Sequence, residues 1–357
     1  MLDFVHLHVH TYYSILDGAA SVKRLVDKAI ADGQKGMAIT DHGNMFGIKE
    51  FFDYCNKVNK ERKQNGEDPF TPIFGCEVYV AQNDKESKEK EKGDNIRYHL
   101  ILLAKNETGY HNLVKLVSEA WTDGFYNKAR TDHKGLEKYH EGLICSSACL
   151  AGEVSKAIMQ DDIEKAEKTV LWYKKLFGDD YYLEIMRHEV TDPAIRANRE
   201  TYEMQKKVNP VIIELARKHN IKVICTNDSH FVNEEDAEAH DRLLCVNTGQ
   251  KHRDENRMLY TKQEWFKTRD EMEQIFSDIP EALTNTMDIL GKVETYDIEH
   301  KPILPDFPLP EGFTDEDEYL KFLTYNGAKE RYGDPIPDDV KTRIDFELDT
   351  IKTMGFP

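Results

Sequence analysis

The sequence predicts an α/β fold in which about seven parallel strands close into a TIM-like barrel. Short apolar runs alternate with amphipathic runs at helical spacing from the N-terminus to about residue 230, a pattern typical of repeated βα units. Polar residues follow several of these strands, which is where barrels of this class carry their chemistry. We therefore expect a functional site at the mouth of the barrel.

The first predicted strand, Phe4–Thr11, alternates histidine with leucine or valine. In a regular strand this period of two places His6, His8 and His10 on one face. Buried imidazoles without partners are costly, whereas neutral imidazole is a common metal ligand. The pattern favours a metal site at the start of the chain. The alternative is a solvated strand face that carries its histidines by chance.

The following elements extend to residue 121. Ser21 has the chemistry of a helix N-cap, and Gly33 that of a helix end. A short buried strand, Gly36–Thr40, leads directly into Asp41 and His42. The sequence further predicts a helix over 45–63, a strand over 71–80, a strand over 98–104 and a helix over 109–121.

Glu77 and His99 interrupt two of these strands, which are otherwise apolar. A buried carboxylate is costly unless it is paired or bound to a metal. Both residues are therefore predicted to lie inside the mouth of the barrel.

The second half of the barrel begins with a strand over 142–147, which is followed by Cys149, and Glu153 opens the next helix. The last strand, over 221–226, runs into Asp228 and His230. Between them the sequence predicts a helix over 161–176, a strand over 181–186 and a helix over 192–220 that contains Pro210.

The pattern changes after about residue 250. Helices are predicted over 264–276 and 280–293, followed by a proline-rich connector over 302–313. Two more helices, over 315–332 and 338–354, close the sequence. The barrel is thus expected to be followed by a small, mainly helical C-terminal segment.

Composition narrows the possible functions. The 357 residues carry 48 basic and 66 acidic side chains, a formal net charge of −18, which argues against broad electrostatic capture of nucleic acid. A phosphate substrate remains compatible if metal ions supply local positive charge. The sequence has no apolar run long enough to span a membrane and no signal peptide. Its cysteine spacing does not suggest a disulfide framework, so we expect a cytoplasmic protein with no membrane partner.

The candidate ligands combine nitrogen, oxygen and one sulfur donor, a set that suits zinc, manganese or iron. Their number exceeds one tetrahedral site and could hold two or three ions. Sites with ions about 3.5–4 Å apart commonly serve phosphate-ester hydrolysis. The candidates are His8, His10, Asp17, His42, Glu77, His99, Cys149, Asp228 and His230.

Six motifs in this order resemble the polymerase-and-histidinol-phosphatase (PHP) family, in the form found at the N-terminus of bacterial replicative DNA polymerases. The resemblance covers residues 1–280 as a PHP domain. It implies that residues 281–357 are the proline-rich connector and the truncated start of a polymerase palm. The motifs are His8–Thr11 with Ser14, Thr40–Gly43, Gly75–Glu77, Tyr98–Leu100, Ala148-Cys149 with Gly152-Glu153, and Asn227–His230.

The resemblance implies a distorted seven-stranded (β/α) barrel with three metal ions. By position, His8, His10 and Asp228 would hold the first ion, and Glu77 would bridge to a second held by His99 and Cys149. Asp17, His42 and His230 would hold the third. Many family members have histidine in place of Asp17 and Cys149, and Cys149 favours zinc over manganese or iron. The catalytic set would be His8, His10, Glu77, Asp228 and His230.

Because all nine ligand positions are filled, the resemblance favours a metal-dependent 3′–5′ proofreading exonuclease that acts on the primer 3′ end. The polymerase active site would lie outside this sequence, as would contacts with partners such as the sliding clamp. Arg187 and His188 follow a strand and could contact the substrate phosphate, or they could be ordinary surface residues. Two other functions stay open: a catalytically silent, metal-stabilised structural domain, and a stand-alone monoesterase similar to histidinol phosphatase.

Overall fold

The computed structural model describes residues 2–190, 195–301 and 303–357. The chain divides into two compact units, of which the first ends at Ile298 and the second begins at Glu299. The first unit contains the sheet and most of the helices. The second contains two helices.

One curved sheet of seven strands forms the centre of the first unit, among the described residues. Its hydrogen-bonded order is β1-β2-β3-β5-β6-β7, and β4 pairs with β2. This arrangement confirms the α/β, barrel-like fold class. The strands are β1 Gly36–Ile39, β2 Thr71–Ala81, β3 Arg97–Ala104, β4 Arg130–Thr131, β5 Leu143–Ser146, β6 Tyr181–Ile185 and β7 Lys222–Cys225.

The opening segment closes the barrel without forming a regular strand, although the sequence predicted a strand over Phe4–Thr11. On one side the Ala38 N–H donates to the His6 carbonyl over 2.8 Å. On the other side the His10 N–H donates to the Ser229 carbonyl over 2.8 Å. The segment therefore lies between β1 and the chain that follows β7.

The prediction of an all-parallel sheet is wrong at β3, which runs antiparallel to both β2 and β5. Parallel neighbours need a crossover connection, usually a helix. Residues 82–96 join β2 to β3 and contain only a 3₁₀ turn at Lys90–Lys92, so β3 folds back as a hairpin. Reversal places the start of β3 beside the end of β2, and His99 therefore lies at the same mouth as Tyr79, its cross-strand partner.

Most predicted helices are present, with shifted ends. Ser21 caps the first helix by accepting the Arg24 N–H. Of the helices in the described residues, none combines the length and apolar character needed to cross a bilayer. Those of the first unit are α1 Val22–Ala31, α2 Ile48–Gln64, α3 Glu107–Thr122, α4 His133–Tyr139, α5 Glu153–Met159, α6 Ile163–Phe177, α7 Glu203–His219, α8 Ala237–Thr248, α9 Arg269–Ile275 and α10 Pro280–Lys292.

Two helix predictions need correction. The helix predicted over 264–276 begins only at Arg269, because Thr268 and Glu271 form a capping box there. For the helix predicted over 192–220, the start at Asp192 lies outside the described residues, and α7 follows a π-helical turn at Asn198–Tyr202. The sequence patterns also missed β4, α4 and α8.

The interior of the barrel is apolar at the bottom and polar at the mouth. One buried cluster, to which the opening segment and six of the seven described strands contribute, includes Val5, Leu7, Ile73 and Ile101. α10 covers this cluster through Ile289, so it packs with the first unit. The predicted end of the PHP domain at residue 280 stays a prediction.

His6 does not share a face with His8 and His10, contrary to the strand-based prediction. Its ring lies 4.1 Å from the Phe266 ring, and its Nε2 is 2.8 Å from the Lys267 carbonyl oxygen. The alternation of a regular strand does not apply because the opening segment is irregular. His6 is therefore a packed residue outside the polar mouth.

The second unit is a pair of helices, α11 Glu316–Tyr332 and α12 Asp338–Met354. Asp315 caps α11 by accepting the Glu318 N–H. Pro302, the first residue of the predicted connector, lies outside the described residues, and residues 303–313 contain no helix or strand.

Candidate metal centre

Loops at the barrel mouth have strained backbone conformations at a predicted ligand or at the residue directly before one. Leu16, which precedes Asp17, has φ 62°, Ala148, which precedes Cys149, has φ 59°, and Asp228 itself has φ 45°. Such left-handed conformations are uncommon outside glycine and often occur at functional sites. The Asp17 loop also needs Gly18, because a Cβ there would lie 2.0 Å from the Thr11 carbonyl oxygen.

Glu77 lies at the middle of the polar mouth and is fully buried. Its Oε1 is 2.7 Å from His99 Nδ1 and 3.4 Å from His8 Nε2. Its Oε2 contacts His42 Nδ1 and lies 3.6 Å from His10 Nε2. A carboxylate with ligand atoms on both oxygens has the geometry of a bridge between two ions.

A first group of potential ligands surrounds Asp228. Its Oδ1 lies 3.1 Å from His8 Nε2 and 3.1 Å from His10 Nε2. These three atoms are close enough to one another to hold one ion. The grouping matches the first site implied by the family resemblance.

A second group, His99 and Cys149, lies at Glu77 Oε1, the oxygen that also faces His8. Cys149 Sγ lies 3.8 Å from His99 Nδ1 and 4.0 Å from Glu77 Oε1. Burial, followed by the charges of Glu77 and Asp228, raises the pKa of the Cys149 thiol well above its usual value. Because the thiolate is the ligand form, binding of an ion there is coupled to loss of that proton.

A third group contains Asp17, His42 and His230. Asp17 Oδ2 is 2.9 Å from His42 Nε2 and 3.8 Å from His230 Nε2. The Tyr260 hydroxyl lies 3.2 Å from His230 Nε2 and 3.3 Å from Asp17 Oδ2. Ligand atoms of His42 lie close to those of His10 and His230, and also close to those of Glu77 and His99. His42 therefore faces both this group and Glu77.

The polar atoms of these side chains have a chemistry that fits metal ions. Buried polar groups in proteins nearly always have hydrogen-bond partners. Here five buried atoms of the predicted ligands make no hydrogen bond of regular geometry and instead face one another, at a place where cations would satisfy nitrogen and oxygen donors together. These atoms are His8 Nε2, His10 Nε2, His42 Nδ1, Glu77 Oε2 and Asp228 Oδ1.

Protons take part in balancing the charge of this cluster. Burial lowers the pKa of His10 to about 3, assisted by the charges of His42 and His230, so its imidazole is neutral. Burial also tends to lower the pKa of His42, but the nearby Glu77 and Asp17 carboxylates outweigh it and raise this pKa to about 10. Burial opposes ionisation of Glu77, yet neighbouring imidazoles hold its pKa well below the usual value.

Glu184 orients His8 and was missed by the sequence analysis. Its Oε1 lies 2.7 Å from His8 Nδ1, which leaves His8 Nε2 directed at Asp228. Ser146 and Thr226 donate hydroxyl hydrogen bonds to the same carboxylate. A carboxylate inside the apolar strand β6 is the signal that identified Glu77, and it would have found Glu184 too.

We predict that Glu184→Gln weakens metal affinity about 10- to 100-fold, the usual cost of losing a carboxylate behind a ligating histidine. Gln keeps the size of the side chain but cannot accept from His8, Ser146 and Thr226 at once. Competition with a chromogenic chelator would measure the change. Glu167→Gln is the matched control. Glu167 also contacts a histidine, with 2.6 Å between its Oε1 and His219 Nε2, but this pair lies outside the metal centre. Equal affinities in the two variants would contradict the orienting role.

Arg187 and His188 occupy different surroundings. Arg187 donates to both carboxylate oxygens of Asp278, over 2.6 and 2.8 Å, which favours the surface-residue alternative for this side chain. His188 is buried beside the centre, with Nε2 3.1 Å from the Asn227 carbonyl oxygen and Nδ1 3.2 Å from Gln205 Nε2. Substrate contact by either residue stays a prediction.

Two small clefts reach the centre from outside. One, of about 280 Å³, is lined in part by Asp17 and His42. The other, of about 290 Å³, is lined in part by His99, Cys149 and Asp228. Both lie near the lower limit of roughly 300 Å³ for small-ligand sites, so each suits one extended unit of substrate rather than a duplex.

Comparison with known proteins gives a family and several relatives. The model of the PHP domain family matches residues 6–188. DNA polymerase III subunit alpha of Borreliella burgdorferi is 42% identical over 99% of the chain and 29% of its own length. The same subunit of Treponema pallidum is 38% identical, over 99% of the chain and 28% of its own length. The chain thus spans less than a third of the length of these relatives.

Solved structures show weaker likeness. Histidinol phosphate phosphatase of Lactococcus lactis, in complex with zinc, L-histidinol and phosphate, is 13% identical with a TM-score of 0.31, over 75% of this chain and all of that one. A two-domain protein of Bacteroides vulgatus with a predicted PHP-like metal-dependent phosphoesterase is 16% identical. Its TM-score is 0.36, and the match covers 80% of this chain and 65% of that one.

Proposed function

Since the chain belongs to the PHP domain family, whose match covers more than half of its 357 residues, we propose that it is the N-terminal part of a replicative DNA polymerase III alpha subunit. We propose further that its metal centre removes nucleotides from the 3′ end of a DNA strand. The observation that carries this proposal is the set of five buried ligand atoms that face one another at the barrel mouth without a hydrogen bond of regular geometry.

The side chains suit a site for two or three divalent ions. His8, His10 and Asp228 would hold the first, and Glu77 would bridge to one held with His99 and Cys149. The remaining group, Asp17, His42 and His230, supplies a third set. Zinc is our first choice because of the Cys149 thiol, with manganese and iron as alternatives. Bound ions of this kind lower the pKa of water and neutralise phosphate oxygens.

The chain itself contributes orientation. Glu184 holds His8 through Nδ1, and Ser14 holds His10 through a 2.9 Å contact with Nδ1. Ser14 in turn donates to Asp41 over 2.7 Å. These contacts present the Nε2 atoms to the centre before substrate arrives, which limits the reorganisation needed during the reaction.

The test is release of nucleotides from a 3′-labelled single strand by the full chain. The protein is first freed of metal by chelation and then supplied with zinc or manganese. We expect release only after an ion is restored. A strand labelled at the 5′ end should shorten stepwise from its 3′ end, which distinguishes an exonuclease from a contaminating endonuclease.

No release from protein shown to carry its ions would overturn the exonuclease and favour a structural metal site. One observation supports that alternative. The predicted ligands come from the opening segment and the loop after it, from β2 and β3, and from the loops after β1, β5 and β7, so bound ions would link these parts of the barrel. Release of phosphate from small monoesters, with no action on DNA, would instead favour a phosphatase.

The partners follow from the proposed identity. DNA would reach the site within an intact polymerase, and contacts with a sliding clamp would involve regions outside these 357 residues. A replication enzyme of bacteria would act in the cytoplasm. The polymerase reaction itself would belong to other parts of the subunit.

A further inference from the structure

Three aromatic side chains form an exposed row beside the metal centre, here called the aromatic ledge: Phe46, Trp121 and Phe125. Their exposed fractions are 56%, 44% and 44%. The Phe46 and Trp121 ring centroids are 6.2 Å apart, and those of Trp121 and Phe125 are 5.6 Å apart with planes at 23°. Large exposed aromatics grouped in this way usually mark a binding surface.

The aromatic ledge lines the same cleft as two predicted metal ligands, Asp17 and His42. A molecule lying against the ledge would therefore extend directly to the centre. Amide side chains also line this cleft and offer both donors and acceptors, a combination that suits nucleobase edges. They are those of Asn127 and Asn247. The Asn44 amide also lines the cleft, but it already bonds to the carbonyls of residues 13 and 42 and to the Phe46 N–H.

The aromatic ledge is held in place by hydrogen bonds. Trp121 Nε1 donates over 2.8 Å to the carbonyl of Gly43, the residue after His42. The loop that carries Phe125 is anchored by the fully buried Arg130, whose Nε donates to the Gly124 carbonyl over 3.1 Å. The same guanidinium donates to the carbonyls of residues 85, 87 and 94. A fixed surface loses little entropy when a ligand stacks on it.

Charge also favours stacking as the source of affinity. The chain carries a formal net charge of −18, so long-range attraction for a polyanion is weak. Cations are nevertheless present near the cleft. Lys128 lines it, 5.8 Å from the centroid of the Tyr79 ring, and Arg97 lies 5.5 Å from the same centroid. These cations could offset the charge of individual phosphates, whereas stacking of the bases would have to supply the remaining binding free energy.

We propose that the aromatic ledge stacks the unpaired bases at the end of a single-stranded nucleic acid and so delivers the terminal phosphodiester to the metal centre. This proposal rests on the proposed function. Stacking is tolerant of base identity because every base has a π-face. The ledge would thus select unpaired ends over paired ones, since bases in a duplex are not free to stack on protein.

The first test measures binding without hydrolysis. Fluorescence anisotropy of a 5′-labelled, nuclease-resistant phosphorothioate single strand is recorded with the full chain and with Trp121→Leu and Phe125→Leu. We expect affinity to fall about 5- to 150-fold per variant, the equivalent of 1–3 kcal/mol for a stacked base. Phe346→Leu is the control, because Phe346 is 63% exposed in the second unit. Melting temperatures identify any variant that is misfolded.

The second test uses tryptophan fluorescence. Stacking of a base should quench the emission of Trp121, and Trp121→Phe should lose this quenching while retaining affinity. A strand whose three terminal nucleotides are abasic should bind as weakly as Trp121→Leu binds the normal strand. The proposal is overturned if both leucine variants keep the affinity of the unmodified chain, or if the unmodified chain binds the abasic strand as tightly as the normal strand.

Failure of the proposed function is distinguishable from failure of the ledge. Ledge-dependent binding by metal-loaded protein that releases no nucleotide would leave the ledge standing and remove the exonuclease. Normal nucleotide release by both leucine variants, with unchanged affinity for the single strand, would leave the exonuclease standing and remove the ledge. Binding of a protein surface to the ledge, with no measurable affinity for single strands, would also overturn the proposal.

Discussion

Replacing Asp228 with asparagine is expected to lower metal-dependent nucleotide release more than about 100-fold, beyond the cost of losing a residue that only supports a ligand. The Asp228 Oδ1 atom lies 3.1 Å from both His8 Nε2 and His10 Nε2, so its charge is shared by the whole first group. Asparagine retains the shape but not the negative charge. Initial rates on a 3′-labelled single strand, at saturating zinc or manganese, would measure the loss.

The backbone should tolerate this substitution. Asp228 has φ 45°, and asparagine adopts the left-handed region more readily than most residues. Asp161→Asn is a matched control, because Asp161 has φ 61° and pairs with Lys207 on the surface. The control should keep the wild-type rate. A wild-type rate in Asp228→Asn protein carrying its full metal content would remove Asp228 from the reaction.

Adding metal to chelated protein is expected to raise the melting temperature by about 5–11 °C. One ion at a hundredfold excess over its Kd adds about 2.7 kcal/mol to the free energy of unfolding, and each kcal/mol shifts Tm by roughly 2–4 °C for a domain of this size. The physical reason is the set of buried ligand atoms that lack hydrogen bonds of regular geometry, which cations would satisfy. Scanning calorimetry with and without zinc would measure it.

The size of this increase should depend on pH. In the metal-free protein, carboxylates around His8 and His42 raise the pKa of both imidazoles against the effect of burial, so both carry protons near neutrality. An ion must displace those protons, so its affinity falls as pH falls. We therefore expect a larger rise in Tm at about pH 8 than at about pH 6.

Two comparisons complete the metal test. Asp161→Asn should show the full rise in Tm, and Asp228→Asn a smaller one. An identical rise in both variants would mean that ions stabilise the chain elsewhere. No rise at all, in protein that binds zinc, would leave the centre without a structural contribution.

The sequence singles out residues whose type is energetically costly in their setting. Histidines in the opening segment and Glu77 within an apolar strand are unfavourable in a core unless something binds them. Such residues stand out without any knowledge of the fold. Glu184, in an equally apolar strand, follows the same principle and could have been recognised.

Predictions failed where they assumed regular geometry. A regular strand would place His6 with His8 and His10, but the opening segment bridges two neighbours without forming a regular strand. Alternation of β and α runs predicts a parallel β3, whereas the connection after β2 contains no α-helix and folds back as a hairpin. The aromatic ledge gave no sequence signal, because Phe46 and Trp121 lie far apart in the chain.

The sequence by itself determined the chemical character of this protein: an α/β barrel whose polar residues suit divalent metals and phosphate chemistry. This character can be predicted from the sequence because burying a carboxylate or imidazole without a partner costs free energy. Such a residue in an apolar run therefore needs a partner wherever the run is placed. Only the tertiary structure decided which atoms meet. The reversal of β3 brings His99 to Glu77, and the packing of α3 brings Trp121 to the loop of His42. Both contacts depend on chain direction and distance in space, which residue order alone does not specify.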